Sequence, residues 1–507
     1  MEKTKTNKKK LLIPGLILAA LILCFAFTAC GENSSGGDND PGNLTNPPDD
    51  LNYGENESDN TAAPEYIYPE INGGGADFIF LAPTTTWDYY TDIVFDEPPA
   101  EVLDEAIYKR NRFIEDKFNI NIKAAERDIG EINSRLRTVI LSDSHEYDAA
   151  FCPAGFAGNI GALITQNMFL NLREIPAMNM DGNWWNQTIN KEAAIGSGDK
   201  LYYAGSGINI FTLQAVSCVF FNQDMMADLG LELPYNSVRD GTWTFDALHQ
   251  YMRAGAQLNG ADSWKWDASG SAVYGLASYQ DSATSLLAGS AERYIITDAD
   301  GTPRPAIDGE RFINVLTKIQ EMLQLPNGEF VCANDSNSGF YFEPMFMNNR
   351  ALTALGELKA ADSFKNMEAT FGILPIPKYD GNQENYYSHL IYPAPALIIP
   401  VTNPQPDFTG AVLDAMAFVS NRDVTPVFFD VSVSQKRLRN EDSIEMLQII
   451  KNSGSFEIGM AYGWTNDFFF AIHLEMGAGR SFNIVSQIER HIDRIAANIE
   501  KTMESFG

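Results

Sequence analysis

Short apolar runs alternate with amphipathic stretches along most of the chain, beginning near Asp77. The run "DFIFLA" (77–82) has the length and composition of a buried strand, and "YDAAF" (147–151) and "SCVFFN" (217–222) repeat that signal. Helical stripes lie between them. In "LDEAIYKRNRFIEDKFN" (103–119), Leu103, Ile107, Ile114 and Phe118 share one face. Phe312, Leu316, Ile319 and Leu323 do so behind a predicted cap at Asp308, and Ile488, Ile492, Ile495, Ile499 and Met503 form a last stripe. The alternation predicts an α/β protein. A patterned region of about 430 residues exceeds what one core holds, so at least two lobes are expected. No internal repeat is visible.

The first 75 residues break the pattern. "MEKTKTNKKK" carries five lysines and is followed by an apolar stretch, Leu11 to Ala29, interrupted by Pro14 and Gly15. This is the layout of a signal peptide, with a retained membrane anchor as the rival reading because a spanning helix needs about 20 apolar residues. Phe27-Thr28-Ala29-Cys30 resembles the lipobox of bacterial lipoproteins, with Phe27 where leucine is usual. The resemblance implies that the chain is cut before Cys30 and that its thiol carries a diacylglycerol, whose two acyl chains suffice for stable anchoring. Residues 31–75 hold ten acidic side chains and no lysine or arginine. Such a segment buries too little apolar surface to order itself, and as a coil it spans on the order of 35 to 40 Å. Residues 1–29 are thus expected to be a signal peptide, and 30–75 a lipidated cysteine followed by an acidic leash.

Charge narrows the partners. The whole chain has a formal net charge of −31, and losing five lysines and one glutamate with the leader takes it to −35. That field repels phosphate backbones and anionic membrane surfaces, which argues against nucleic-acid binding. Beyond Cys30 only Cys152, Cys218 and Cys332 remain, so no disulfide framework is implied, although one pair is open.

The search for catalytic chemistry is mostly negative. The five histidines have no HExxH or similar metal spacing, and neither a GxSxG elbow nor a GxxxxGK[ST] phosphate loop occurs. "TDADGT" (297–302) lacks the closing glutamate of a calcium loop and reads as a hairpin with Asp300-Gly301 at its tip. A pair of carboxylates for glycosidic cleavage would meet only in the fold. What the chain does have is aromatic rings in polar, turn-like settings: "PTTTWDYY" (83–90), "DGNWWNQ" (181–187), "DSWKWDASG" (262–270), "YYSHLIYPAP" (386–395) and "MAYGWTND" (460–467). A ring beside Asp, Asn or Thr suits a sugar, covering its apolar face while the neighbours bond its hydroxyls. The plainer alternative is that each ring closes the edge of a core.

In order, "YDAAFCPAG", "FLNLREI", "WWNQ", "KLYYAGSG", "SCVFFNQDMMADLGLELPYNSVRDGTWTFDAL", "VYGLASY", "FEPMFMNNRALTALGEL" and "FGILPIPKYDG" resemble the family-1 extracellular solute-binding proteins of ABC transporters, the carbohydrate-type lipoproteins related to maltose-binding protein. The resemblance implies a two-lobed, periplasmic-binding-protein-like α/β fold with three hinge crossings, near 206–220, 388–400 and 445–460, and a central cleft. Lobe 1 would comprise 76–213 and 394–447, and lobe 2 would comprise 214–393 and 448–507. The ligand-binding residues it implies are Thr85, Trp87 and Asp88 after the first strand, Gly155 and Phe156 after another, and Asn209 and Gln214 at the first crossing. Tyr279, Asp281 and Glu357 follow in lobe 2, then Tyr392, Tyr462 and Trp464 near the later crossings, with Trp184 and Trp185 packing under the hinge. The implied function is capture of a carbohydrate, an oligosaccharide by preference, for delivery to a permease, with no cofactor and no catalysis. An anchored extracellular glycoside hydrolase and a sensor feeding a membrane receptor are the alternatives.

Overall fold

The computed structural model describes residues 66–84, 90, 92–155, 160–197, 199–324, 327–335, 340–364, 366–391, 393–434 and 441–506. The leader, Cys30, residues 31–65 of the expected leash, and the expected site residues Thr85, Trp87, Asp88, Phe156 and Tyr392 lie outside the described residues. Residues 66–75, expected to belong to the leash, are instead packed on the fold: Tyr66 stacks on Phe418 and donates to Asp414, and the Gly73 N–H donates to the Phe118 carbonyl, because Tyr66, Tyr68 and Ile71 supply the apolar contacts that the acidic stretch before them lacks.

Two sheets organise the chain from Tyr66 onward. The first has the order β14-β3-β1-β2 and is built from β1 (Ala76–Thr84), β2 (Ile120–Asp128), β3 (Ala149–Pro153) and β14 (Pro395–Ile398). β1 runs parallel to both neighbours, with Ala76 opposite Ile120 and Phe80 opposite Ala149, while β14 returns antiparallel on β3. Phe78, Phe80 and Leu81 in β1 are fully buried, which makes each worth roughly 1.5–3 kcal/mol of burial. Helix α1 (Val102–Phe118) buries Ile107, Ile114 and Phe118 as the stripe predicts, and ends on Asn119 in the left-handed conformation (φ 50°), which asparagine tolerates. Helix α2 (Ile132–Leu141) packs on β1 and β3.

The second sheet has the order β12-β4-β11-β5-β8, from β4 (Ser217–Asn222), β5 (Tyr274–Ser278), β8 (Phe330–Cys332), β11 (Ala351–Glu357) and β12 (Phe371–Leu374). β5, β8 and β11 are parallel, whereas β4 runs against β11 and β12. The helix Phe245–Gly255 covers β5 and β11, and the helix Glu310–Leu323 meets the last helix, Ile484–Met503. The helix Glu310–Leu323 starts from Gly309 with no side-chain cap, so Asp308 does not play the part its position suggested. The "TDADGT" stretch is the hairpin it resembled: β6 (Ile295–Thr297) pairs antiparallel with β7 (Pro303–Pro305), and Gly301 takes φ 82° at the turn.

Three chain segments lie side by side where the sheets meet. Val216 bridges Leu390, Ile391 N–H donates to Ala215, and β13 (Ser388–His389) pairs parallel with β15 (Gly454–Ser455). The chain thus passes between the sheets through a three-segment ribbon, giving two α/β lobes. The buried Arg110 of α1 fixes the approach to the first crossing, donating to the Ile208 carbonyl and to Ser420 Oγ. The expected lobe limit after residue 447 falls inside the helix Glu441–Ser453, which packs on β12.

Candidate functional site

Three parallel strands of the second sheet end together, at Ser278, Cys332 and Glu357, and the carboxyl ends of such strands are where open α/β sheets take ligands. Immediately after β5, Tyr279 is half-buried and Asp281 buried. Tyr279 Oη donates to Glu357 Oε2 at 2.7 Å, and its ring lies on Phe342 with centroids 5.7 Å apart and planes 15° from parallel. Phe342 opens the helix Phe342–Met347, which precedes β11 and so starts at this same end of the sheet. That start delivers two further groups, Tyr341 and Glu343. Asp281 meets His473, whose Nδ1 lies 3.0 Å from Asp281 Oδ1. Gly477 lets His473 approach from its own segment: a Cβ at 477 would sit 1.9 Å from the Gln280 carbonyl oxygen.

The electrostatics follow from this crowding. Burial pushes the Asp281 carboxyl up, but the hydrogen bonds from His473 and Tyr279 outweigh it and hold the group below the usual carboxylate range. Glu343 has only its own backbone N–H as an opposing donor. Burial, with the Glu357 charge adding to it, pushes Glu343 up to about 8, and its Oε2 is buried with no partner among the described residues. Tyr341 is pushed up by burial and then by Glu343, Glu357 and Asp281, so three carboxylates surround one hydroxyl. Carboxylates accept hydrogen bonds from ligand hydroxyls, a neutral Glu343 can also donate one, and the half-buried rings of Tyr279 and Tyr341 offer apolar faces.

Facing elements come from the first lobe. Tyr90 Oη donates to the Pro393 carbonyl at 2.7 Å and its ring meets Phe211 edge-on, while Lys359 of the second lobe reaches over the Phe211 ring. Asp104 is raised by burial and then by Asp92, Glu101 and Asp362, so carboxylates of both lobes share this rim. Among the described residues no group of three His, Cys, Asp or Glu side chains is placed to hold a metal ion.

The expected site residues therefore divide. Tyr279, Asp281 and Glu357 converge. Gly155 is buried just past β3, beside the first lobe's strand ends. Asn209 and Gln214 are buried at the first crossing, where Asn209 Oδ1 accepts the Phe211 N–H and so shapes α5 (Phe211–Gln214). Tyr462 and Trp464 stack on each other, centroids 4.8 Å apart, and Trp464 Nε1 donates to Thr502 Oγ1. They line a hollow of about 450 Å³ against α3 (Gly161–Ile164) and the last helix, whose lining shares no residue with the Tyr279–Glu357 cluster. Trp184 and Trp185 both donate from their indole N–H groups to Asp414. Sequence reasoning missed Tyr341, Glu343 and His473. Only the aromatic flank of "FYFEPMF" hinted at the first two, and nothing local links His473 to Asp281.

Stability should carry the imprint of Glu343. A carboxyl raised from about 4.5 to about 8 contributes stability that is complete below pH 4.5 and lost as pH rises through 8. His389, lowered by burial to about 4, contributes in the opposite sense and is finished above pH 6.5. Between pH 6.5 and 8 the Glu343 effect remains, joined by the last part of that from Glu457, raised by burial to about 7, so unfolding free energy is expected to fall by about 2 to 3 kcal/mol across that window. Denaturant titrations at the two pH values check this, and Glu343→Gln should remove the larger part of the difference, leaving the Glu457 part.

No protein-family model matches the sequence, and no curated protein sequence matches it. Solved structures do share the fold. The cyclic alpha-maltosyl-1,6-maltose binding protein of Arthrobacter globiformis aligns with a TM-score of 0.56 at 12% identity, covering 84% of this chain and 100% of that one. A cyclo/maltodextrin-binding protein complexed with maltotetraose gives 0.52 at 12% identity, over 85% and 97% of the two chains. An ABC substrate-binding protein of Listeria monocytogenes, in complex with cycloalternan, gives 0.51 at 14%, over 85% and 99%. The chain has the two-lobed α/β fold of these binding proteins.

Proposed function

We propose that this protein is an extracytoplasmic solute-binding protein that captures a carbohydrate between its lobes and hands it to an ABC transporter permease. The observation that carries the reading is the lobe–ribbon–lobe architecture with Tyr279, Glu357 and Asp281 gathered at the strand ends beside it. The ribbon supplies a hinge, the paired carboxylates accept hydroxyl protons, and the rings cover sugar faces. Binding proteins for maltotetraose and cyclic alpha-maltosyl-1,6-maltose have the same fold, which supports an oligosaccharide of several units. Attachment through a diacylglycerol on Cys30 belongs to this proposal and rests on the lipobox-like junction. No helix among the described residues is long and apolar enough to cross a membrane.

One observation favours a second reading. Burial and the Glu357 charge push the Glu343 carboxyl up to about 8, so one acid and one carboxylate lie in the same cluster, the two groups a glycosidase uses. A panel of linear and cyclic oligosaccharides, screened by thermal shift and then recovered, tests both. A binder raises the midpoint with one sugar class and returns it intact, a hydrolase shortens it, and no shift with any sugar contradicts the carbohydrate assignment.

A further inference from the structure

We propose that the ion pair between Glu192 and Arg293 is a brace between the lobes, set beside the hinge and outside the cleft, that fixes the angle between them when no ligand is bound. Glu192 lies in α4 (Gln187–Ala193), within a platform built on the first lobe: Phe169 bridges Pro400, Ala204 bridges Leu397 of β14, and Asp414 takes the indoles of Trp184 and Trp185. Arg293 belongs to the second lobe, just before β6.

The contact has the form of a built joint. Arg293 donates from Nε and Nη2 to Glu192 Oε1 at 3.1 and 3.0 Å, and the other carboxylate oxygen accepts the Phe456 N–H, one residue past the hinge strand β15. Both side chains are mostly buried, and the guanidinium lies 5.0 Å from the centre of the Tyr387 ring. The hairpin tip adds a second tie, the Gly301 carbonyl accepting the Gly196 N–H at 3.0 Å. A cavity of about 480 Å³ opens alongside, walled by α4 on one side and β6 and Ile458 on the other. Rotation of one lobe about the ribbon therefore has to stretch or release this pair, and the open space beside it lets that happen without a clash.

Glu457 makes the brace sensitive to protons. Its carboxyl accepts the N–H groups of Tyr294 and Gly459 and stands near both members of the pair. Burial, opposed by Arg293 and reinforced by Glu192, pushes Glu457 up to about 7. Once ionised, it competes with Glu192 for the single guanidinium. Glu192 is itself raised by burial, opposed by Arg293 and by the Phe456 N–H, while Tyr203 and Tyr294 are held neutral by burial and His389, lowered to about 4, is uncharged from pH 6 to 8.

The test is a spin-label distance between the lobes, with labels at Asp116→Cys in α1 and Glu321→Cys in the helix Glu310–Leu323, and Cys332→Ser to remove the half-buried thiol. In unliganded protein at pH 6, Glu192→Gln should shift and broaden the distribution, Arg293→Lys should do so less, and Lys191→Gln should match the parent. A Glu192→Gln protein that unfolds cooperatively and superimposes on the parent overturns the proposal. If that variant does not fold, the Glu343→Gln protein, whose cleft no longer titrates at that position, decides at pH 6 and 8: broadening on ionisation of Glu457 supports the brace, and an unchanged distribution rejects it.

Discussion

Asp414→Ala should lower the unfolding free energy by about 3 to 5 kcal/mol. This carboxylate is 4% exposed and takes four donors: both indole N–H groups of Trp184 and Trp185 at 2.9 Å, the Asn179 N–H at 3.1 Å and Tyr66 Oη at 3.0 Å. Alanine strands all four, and a buried donor left without a partner costs roughly 1–3 kcal/mol. Burial pushes the Asp414 carboxyl up while those bonds pull it down, so part of the loss is offset by not having to bury a charge. Asp414→Asn, which keeps one acceptor oxygen, should lose about half as much by the same count. Equilibrium urea unfolding measures both. A change below about 1 kcal/mol for alanine would mean that water replaces the carboxylate at little cost.

Tyr279→Ala is expected to weaken ligand binding about a hundredfold while leaving the fold intact. The ring is half-buried, so removing it costs the core little, yet it lies on Phe342 at the strand ends and holds Glu357 by a 2.7 Å bond. Losing about 100 Å² of ligand-covered ring at about 25 cal/mol per Å², together with one oriented carboxylate, amounts to about 3 kcal/mol. Trp464→Ala should behave in the opposite way. Its indole is 3% exposed, stacked on Tyr462 and bonded to Thr502, so truncation should cost about 3–5 kcal/mol of stability and little affinity. Calorimetric titration with the sugar selected by the oligosaccharide panel, beside urea unfolding of both variants, separates the two outcomes. Equal affinities for Tyr279→Ala and its parent would remove this ring from the site.

The contrast between these two aromatics marks how far the sequence can be read. Strands at 77–82 and 217–222 and the stripe of α1 were legible because an apolar run or a repeating face is a local signal with one physical cause, burial. Tyr279, Asp281 and Glu357 were legible at one remove, because residues just past the ends of parallel strands must face the same edge. Trp464 carried the same polar neighbours as a site residue, but whether a loop ring turns outward or onto another ring depends on what arrives there, in this case Tyr462 and the last helix. His473, in the helical segment Ile472–Met476, and Asp281 meet across a long stretch of sequence where Gly477 leaves room for the Gln280 carbonyl. The Asp414 hub gathers Tyr66, Trp184 and Trp185 across more than two hundred residues, and no short-range pattern encodes that.

Small-angle scattering of the protein, with and without a saturating oligosaccharide that raises its unfolding midpoint, tests the clamp most directly. Two lobes on a three-segment ribbon should close over the sugar, giving a smaller radius of gyration in the bound state and an unaltered sugar on release. The same radius in both states at saturation would contradict the account, because the cleft would then bind without the lobes moving.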